Sequence, residues 1–69
     1  MANQNYKMIE IIGTSDKSIE DAVNGAISKA GKTVRKMRWF QITDIRGDID
    51  RNKVAHWQTS LKVGFHIED

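Results

Sequence analysis

The chain has no cysteine and no proline. Without thiols there is no disulfide framework, no cysteine nucleophile and no thiolate metal site. The two histidines, His56 and His66, stand ten residues apart and read as polar-face residues rather than metal ligands. No apolar run approaches the ~20 residues of a membrane span. The opening stretch MANQNYK lacks the apolar segment of a signal peptide. A soluble, cytoplasmic protein with no membrane partner is therefore expected. Charge of one sign is scarce too: 11 Lys and Arg against 9 Asp and Glu leave +2, which permits an anionic partner without demanding one. No repeat, linker or low-complexity tract interrupts the sequence.

With 69 residues, the chain is expected to be a single domain over residues 1–69. That is at or below the size at which one core suffices, and disulfides or metals normally make up the difference. Neither is expected here, so self-association is the leading remedy.

Tyr6-Lys7-Met8-Ile9-Glu10-Ile11-Ile12 is rich in β-branched residues and predicts a strand closed by Gly13. Thr14, Ser15 and Asp16 are the first candidates for a helix cap, with Ser18, three residues before Asp21, as the weaker alternative. Ile19, Ala22, Val23, Ala26, Ile27 and Ala30 recur at three and four, the stripe of an amphipathic helix, and Gly31 fits its end. The remainder reads as a long hairpin: Met37 to Ile49, a turn at Asp50-Arg51-Asn52, and Val54 to Ile67.

In the second hairpin strand Ala55, Trp57, Thr59, Leu61, Val63, Phe65 and Ile67 alternate with Val54, His56, Gln58, Ser60, Lys62, Gly64 and His66. The first set is expected to pack on the helix. Phe40 and Ile42 continue that face, so Phe40 should take the core. Trp39, Gln41, Thr43 and Ile45 fall on the other side. Pairing Ile49 with Val54 sets Trp39 opposite Gly64, which leaves space over the indole. A 13-residue strand spans ~43 Å, whereas the helix covers ~24 Å. The hairpin overhangs its only helix, and Trp39 lacks a partner within its own chain.

With β-α-β-β order, the stretch Glu10-Ile11-Ile12-Gly13-Thr14-Ser15 with Ser18, the run Ala22, Ala26, Ala30 with Lys32-Thr33, Arg38-Trp39-Phe40, Ile45-Arg46-Gly47, and Gln58 through Val63-Gly64-Phe65, the chain closely resembles the dodecins. The resemblance covers about Tyr6 to Glu68. It implies an α+β fold with a three-stranded antiparallel sheet partly wrapped around one helix, assembled as a hollow homododecamer. It also implies a non-catalytic flavin-binding protein for storage, buffering and photoprotection. In the family, stacked flavins lie between tryptophans of two-fold-related subunits. The corresponding residues here are Trp39 for stacking, Gln58 for the polar edge of the ring and Arg46 for the phosphate of FMN, with Arg38 beside the tryptophan. FMN or riboflavin is the implied ligand. Coenzyme A is implied at a separate basic site near Lys7, Lys29 and His66.

These residue types suit that chemistry. An indole offers a large electron-rich face to a flat electron-poor ring, and offset stacking adds ~0.5–1.5 kcal/mol beyond area burial. A glutamine amide matches a carbonyl beside an N–H, and arginine presents a planar fork suited to phosphate.

Each residue also has an ordinary reading. Trp39 suits a ligand-free oligomer interface, and Gln58 a solvated sheet face. Arg46, near Asp44, Asp48 and Asp50, suits a surface ion pair worth ~0–1 kcal/mol. Simple alternation puts Arg46 on the core side, opposite Trp57, unless a bulge near Gly47 re-aims it. Gly13-Thr14-Ser15 reads as helix capping rather than a phosphate cradle, and Lys32, Arg35, Lys36 and Arg38 as a solvated connection. Among functions, no catalytic constellation is present, so no enzyme is expected. A single-stranded nucleic-acid binder or a bare oligomeric scaffold is the alternative class. Asp44, Asp48 and Asp50 on the hairpin count against a continuous phosphate-tracking groove.

Overall fold

The computed structural model describes residues 4–67. Four elements follow in the expected order: β1 (Tyr6–Ser15), α1 (Ile19–Ala30), β2 (Met37–Asp50) and β3 (Lys53–His66). The strands form one antiparallel sheet in the order β1-β3-β2. β3 is central because β1 pairs with it from Tyr6↔His66 to Ser15↔Trp57. The helix lies across β1 and β3, where Val23 meets Leu61 and Val63 with Ile9, Ile11, Ile19, Ala26, Ile27 and Met37 packed around them.

The entry into α1 differs from the expectation. Gly13 does not close β1, which runs two residues further. A side chain at Gly13 would collide with the Ala22 carbonyl, so its absence lets the helix backbone sit directly on the strand. Ser18 is the cap: its backbone is extended and its hydroxyl accepts from the Asp21 amide at 3.0 Å. Ser15 is buried and ties the turn instead. Its Oγ donates to Asp21 Oδ2 at 2.6 Å and accepts from the Lys17 amide at 2.9 Å. Gly31 ends the helix as expected, with its amide donating to the Ile27 carbonyl at 2.9 Å.

The hairpin turn is tighter than expected. Arg51 and Asn52 both have positive φ, 54° and 63°, as a two-residue turn matched to strand twist requires. Ile49 pairs with Val54 and Trp39 with Gly64, but the ladder between them is not regular. One extra residue, Ala55, sits on β3 between the partners of Asp48 and Ile49, and another, Thr43, sits on β2 between Ile42 and Asp44. The two shifts cancel at Trp39. Between them the register is offset by one, so Arg46 pairs with Gln58 and Gly47 with Trp57. Ile45, expected on the polar side, pairs with buried Thr59 and belongs to the helix side.

The core is small. Ala22, Val23, Leu61 and Val63 are its buried apolar members, with Thr59 satisfied by donation to the Asp44 carbonyl at 2.9 Å. Phe40 faces the helix side beside Ile19, Val23 and Ile42, yet it is 48% exposed because the helix does not reach over β2. It borders the core rather than filling it. The chain is a slab of 56 × 21 × 13 Å. Ile12, Ile45, Ile49 and Val54 are each more than half exposed, which is a poor arrangement for an isolated chain.

Candidate functional site

The sheet face turned away from α1 carries the residues of interest. Side chains directly opposite each other in an antiparallel ladder share a face. Rows on this face therefore run Met8–Gly64–Trp39, Glu10–Lys62–Gln41, Ile12–Ser60–Asp44 and Thr14–Gln58–Arg46, ending in His56–Asp48. Simple alternation puts Arg46 on the core side; the bulge at Thr43, not one near Gly47, turns it onto the far face, opposite Gln58 and not Trp57.

Trp39 projects from this face and is 41% exposed. Its indole covers Gly64, where any Cβ would run into ring atoms Cδ2, Cε2 and Cζ2. One side of the ring therefore rests on bare backbone. Arg38, which precedes it, sits at an irregularity between Met37 and Trp39 and is exposed.

At the other end of the face Gln58 and Arg46 hold each other. Arg46 Nε donates to Gln58 Oε1 at 2.7 Å, and Gln58 Nε2 donates to Thr14 Oγ1 at 3.4 Å. Arg46 Nη1 is also paired with Asp44 Oδ2, and its Nη2 reaches Ser60 Oγ at 3.4 Å. Beside them His56 Nδ1 lies 3.2 Å from Asp48 Oδ1. Thr14, Arg46, Gly47, Asp48, His56 and Gln58 enclose a cleft of about 280 Å³. Gly47 is needed there, because a Cβ would approach the His56 carbonyl to 2.6 Å.

Sequence reasoning found Trp39, Gln58 and Arg46, and the surface ion pair it offered as the ordinary reading of Arg46 is made with Asp44. It missed Thr14 as the partner of Gln58 and Asp48 as the partner of His56. Thr14 was assigned only to capping. Asp48 was read as a charge near Arg46 and as counter-evidence to an anion groove, not as the partner of His56. The detectable signal was their spacing: Asp44, Arg46 and Asp48 alternate on one strand and so share a face.

Trp39 and Gln58 are on the same face but not adjacent. Gln58 lies six residues along β3 from Gly64, or roughly 20 Å at strand rise. One chain does not bring them together. The second group of candidates also divides. Lys7 and His66 line one cleft of about 440 Å³ with Thr33, Arg35, Lys36 and Phe65. Lys29 lines a different groove with Ile11, Ile12 and Ala26. His66 stacks edge-on against Tyr6, with ring centres 5.9 Å apart. Its Nδ1 is buried with no hydrogen-bond partner among the described residues.

The dodecin family model matches residues 6–68, the whole sheet and helix included. The chain belongs to the dodecin family. The curated dodecin of Thermus thermophilus is 41% identical over 64 residues, 93% of each chain. Among solved structures, dodecin from Streptomyces coelicolor superposes with a TM-score of 0.92 at 43% identity, covering 100% of this chain and 99% of that one. The calcium dodecin of Mycobacterium tuberculosis, described as a calcium-chelating antigen with a novel calcium-binding site, gives 0.79 at 31% identity, covering 93% of this chain and 91% of that one. In this dodecin, no group of three or more His, Asp or Glu side chains is placed to hold a metal among the described residues. Dodecins are small binding proteins that assemble into oligomers, and flavin binding is their known role. The slab's uncovered apolar surface accords with assembly. No helix among the described residues is long and apolar enough to cross a membrane.

Proposed function

We propose that this dodecin is a non-catalytic flavin-binding protein, taking FMN or riboflavin for storage, buffering and photoprotection within a homododecamer. The observation that carries the reading is the half-exposed indole of Trp39, seated on Gly64 with its outer face open. In a family of flavin binders, that face is the natural platform for an isoalloxazine ring. The ~20 Å between Trp39 and Gln58 is more than one three-ring system spans. A site using both residues would therefore draw them from two subunits related by a two-fold axis. Close stacking on an electron-donating indole would also quench the excited flavin, a physical basis for photoprotection.

Gln58 would present its amide to the pyrimidine edge. Its Oε1 already accepts from Arg46 Nε and keeps a second lone pair, so ring recognition and the arginine are linked through one amide. Arg38, exposed next to Trp39, would edge the ring. Lys7 and His66, together with Arg35, would form the separate basic site for coenzyme A. Lys29, in another groove, would join it only from a neighbouring subunit.

The decisive experiment is a titration of riboflavin and of FMN with purified protein, followed by flavin fluorescence. Quenching that saturates at one flavin per subunit, with two flavins per subunit pair, is the expected result. Unquenched flavin together with salt-sensitive RNA binding would sink the reading in favour of a nucleic-acid module. Within the same assay, Gln58→Ala should weaken both flavins by roughly 1–2 kcal/mol, the worth of a hydrogen bond in a desolvated site. Arg46→Ala should cost FMN more affinity than riboflavin, because it deletes the cation nearest the ligand's tail. Equal losses would detach Arg46 from the phosphate.

A further inference from the structure

The two methionines among the described residues lie on opposite sides of the sheet. Met37 belongs to the helix side, packed against the Val23, Leu61 and Val63 core and beside Gly31. Met8 is on the far face, in one row with Gly64 and Trp39, and is 51% exposed. The Trp39 indole does not stay above its own strand. Its ring atoms Cε2 and Cζ2 lie over Gly64, so it has crossed from β2 to the centre of the sheet. The next strand in that direction is β1, which presents Met8 in this row. With strands ~4.8 Å apart, Met8 begins about one strand spacing beyond the indole. Its neighbours on this side of β1 suit an apolar ring less well: Tyr6 is turned edge-on to His66, and Glu10 is charged.

A flavin has three fused rings and an indole two, so a flavin stacked on Trp39 overhangs it. Toward β1 the overhang meets a flexible, polarizable thioether, which favours aromatic contact. We propose that Met8 is a second contact of the flavin platform and an oxidation site that makes flavin retention sensitive to peroxide. The inference rests on the flavin reading above and deepens it by adding regulation of the same site. The step is a two-electron oxygen transfer from hydrogen peroxide. A sulfur lone pair of Met8 attacks one peroxide oxygen, the O–O bond breaks, an S–O bond forms and water leaves. Sulfur is oxidised and peroxide reduced. The product is a polar sulfoxide in place of an apolar thioether, reversible by methionine sulfoxide reductases. Covering its oxygen with a flavin ring takes a strong acceptor out of water, and Gly64, directly opposite, has no side chain to donate to it. Access follows occupancy: an empty platform leaves the sulfur open to solvent, and a seated flavin covers it. Loaded subunits keep Met8 reduced, whereas oxidation of empty ones hinders reloading.

The test treats the wild-type assembly with hydrogen peroxide, with and without bound riboflavin, and then cleaves it after lysine. That digestion puts Met8 in residues 8–17 and Met37 in residues 37–53. Mass spectrometry is expected to find one oxygen added at Met8, none at Met37, and a slower reaction at Met8 when riboflavin is bound. The oxidised protein, still assembled by native mass, should bind riboflavin and FMN roughly ten-fold more weakly. The two losses should be equal, because the ring and not the tail is affected. Met8→Leu retains an apolar contact without sulfur, so peroxide should leave its affinity where it stood before treatment. Three outcomes overturn the inference while leaving flavin binding intact: a Met8 that riboflavin does not protect, an oxidised protein that binds as tightly as before, or a Met8→Leu variant that peroxide weakens equally. Protein that quenches neither flavin before treatment removes the flavin reading itself, and this inference with it.

Discussion

Trp39→Ala is expected to remove most flavin quenching and to weaken binding by roughly 30- to 150-fold, or about 2–3 kcal/mol. The magnitude follows from what the ring supplies. An aromatic side chain buried against a planar ligand contributes the transfer of its face from water, and stacking geometry adds ~0.5–1.5 kcal/mol. Trp39 is the only aromatic of its row, since Gly64 has no side chain and Met8 is the remaining member, and Tyr6, one row outward on β1, is turned edge-on to His66. The loss should appear in riboflavin and FMN alike, because it concerns the ring and not the tail. Trp39→Phe should retain part of the affinity but little of the quenching, since phenylalanine stacks yet donates electrons poorly. Binding that survives Trp39→Ala at full strength would mean the indole serves a subunit contact and the flavin lies elsewhere. A native mass measurement on the variant shows whether the assembly itself has persisted.

Gly13→Ala is expected to cost the fold roughly 2–3 kcal/mol, at the upper end for an added methyl group in a packed site. The reason is specific to what the methyl would meet. Its closest neighbour is the Ala22 carbonyl, a backbone group inside α1, with the Ala26 side chain next. Backbone cannot rotate away as a lysine tip could, so the helix must lift from β1. Ala22 and Val23 are half of the four buried apolar residues among those described, and both sit on the part of α1 that would move. Urea denaturation of the variant should show a lower midpoint with an unchanged slope. Gly25→Ala is the matching control: nothing lies within 4 Å of the added atom, so stability should hold or rise slightly. If the two variants melt together, the close approach of α1 to β1 is not a determinant of stability.

The order and type of every element were legible because the relevant signals are local. A three-four stripe makes α1, β-branched runs make the strands, and the alternation in β3 separates the helix side from the far side. The turn and the Trp39↔Gly64 pairing followed from counting outward from the tip. That count succeeded only because Ala55 on one strand and Thr43 on the other offset each other. Between them every pairing is one residue away from the simple hairpin, which is why Ile45 was placed on the wrong face and Arg46 was placed in doubt. Bulges carry no compositional mark strong enough to locate both from one sequence.

The helix entry was misread for a related reason. Thr14, Ser15 and Asp16 are all acceptable caps, and the choice of Ser18 depends on Ser15 being buried against Asp21, a tertiary fact. Phe40 shows the limit of periodicity. Alternation says which way a side chain faces, not whether anything covers it, and strand order decided that the helix leaves β2 bare. In the candidate site, Trp39, Gln58 and Arg46 stood out by residue type. Thr14 beside Gln58 and Asp48 beside His56 did not, because hydroxyls and carboxylates on an exposed strand are common and become informative only once the register is known.

At 13 Å through its shortest dimension, the chain is closer to a tile than to a vessel. Under the proposed function, whatever such a tile carries would be gripped at the seam with its neighbour. Occupancy would then depend on how many tiles are joined, and dilution that parts them would spill the contents without any change inside a single one.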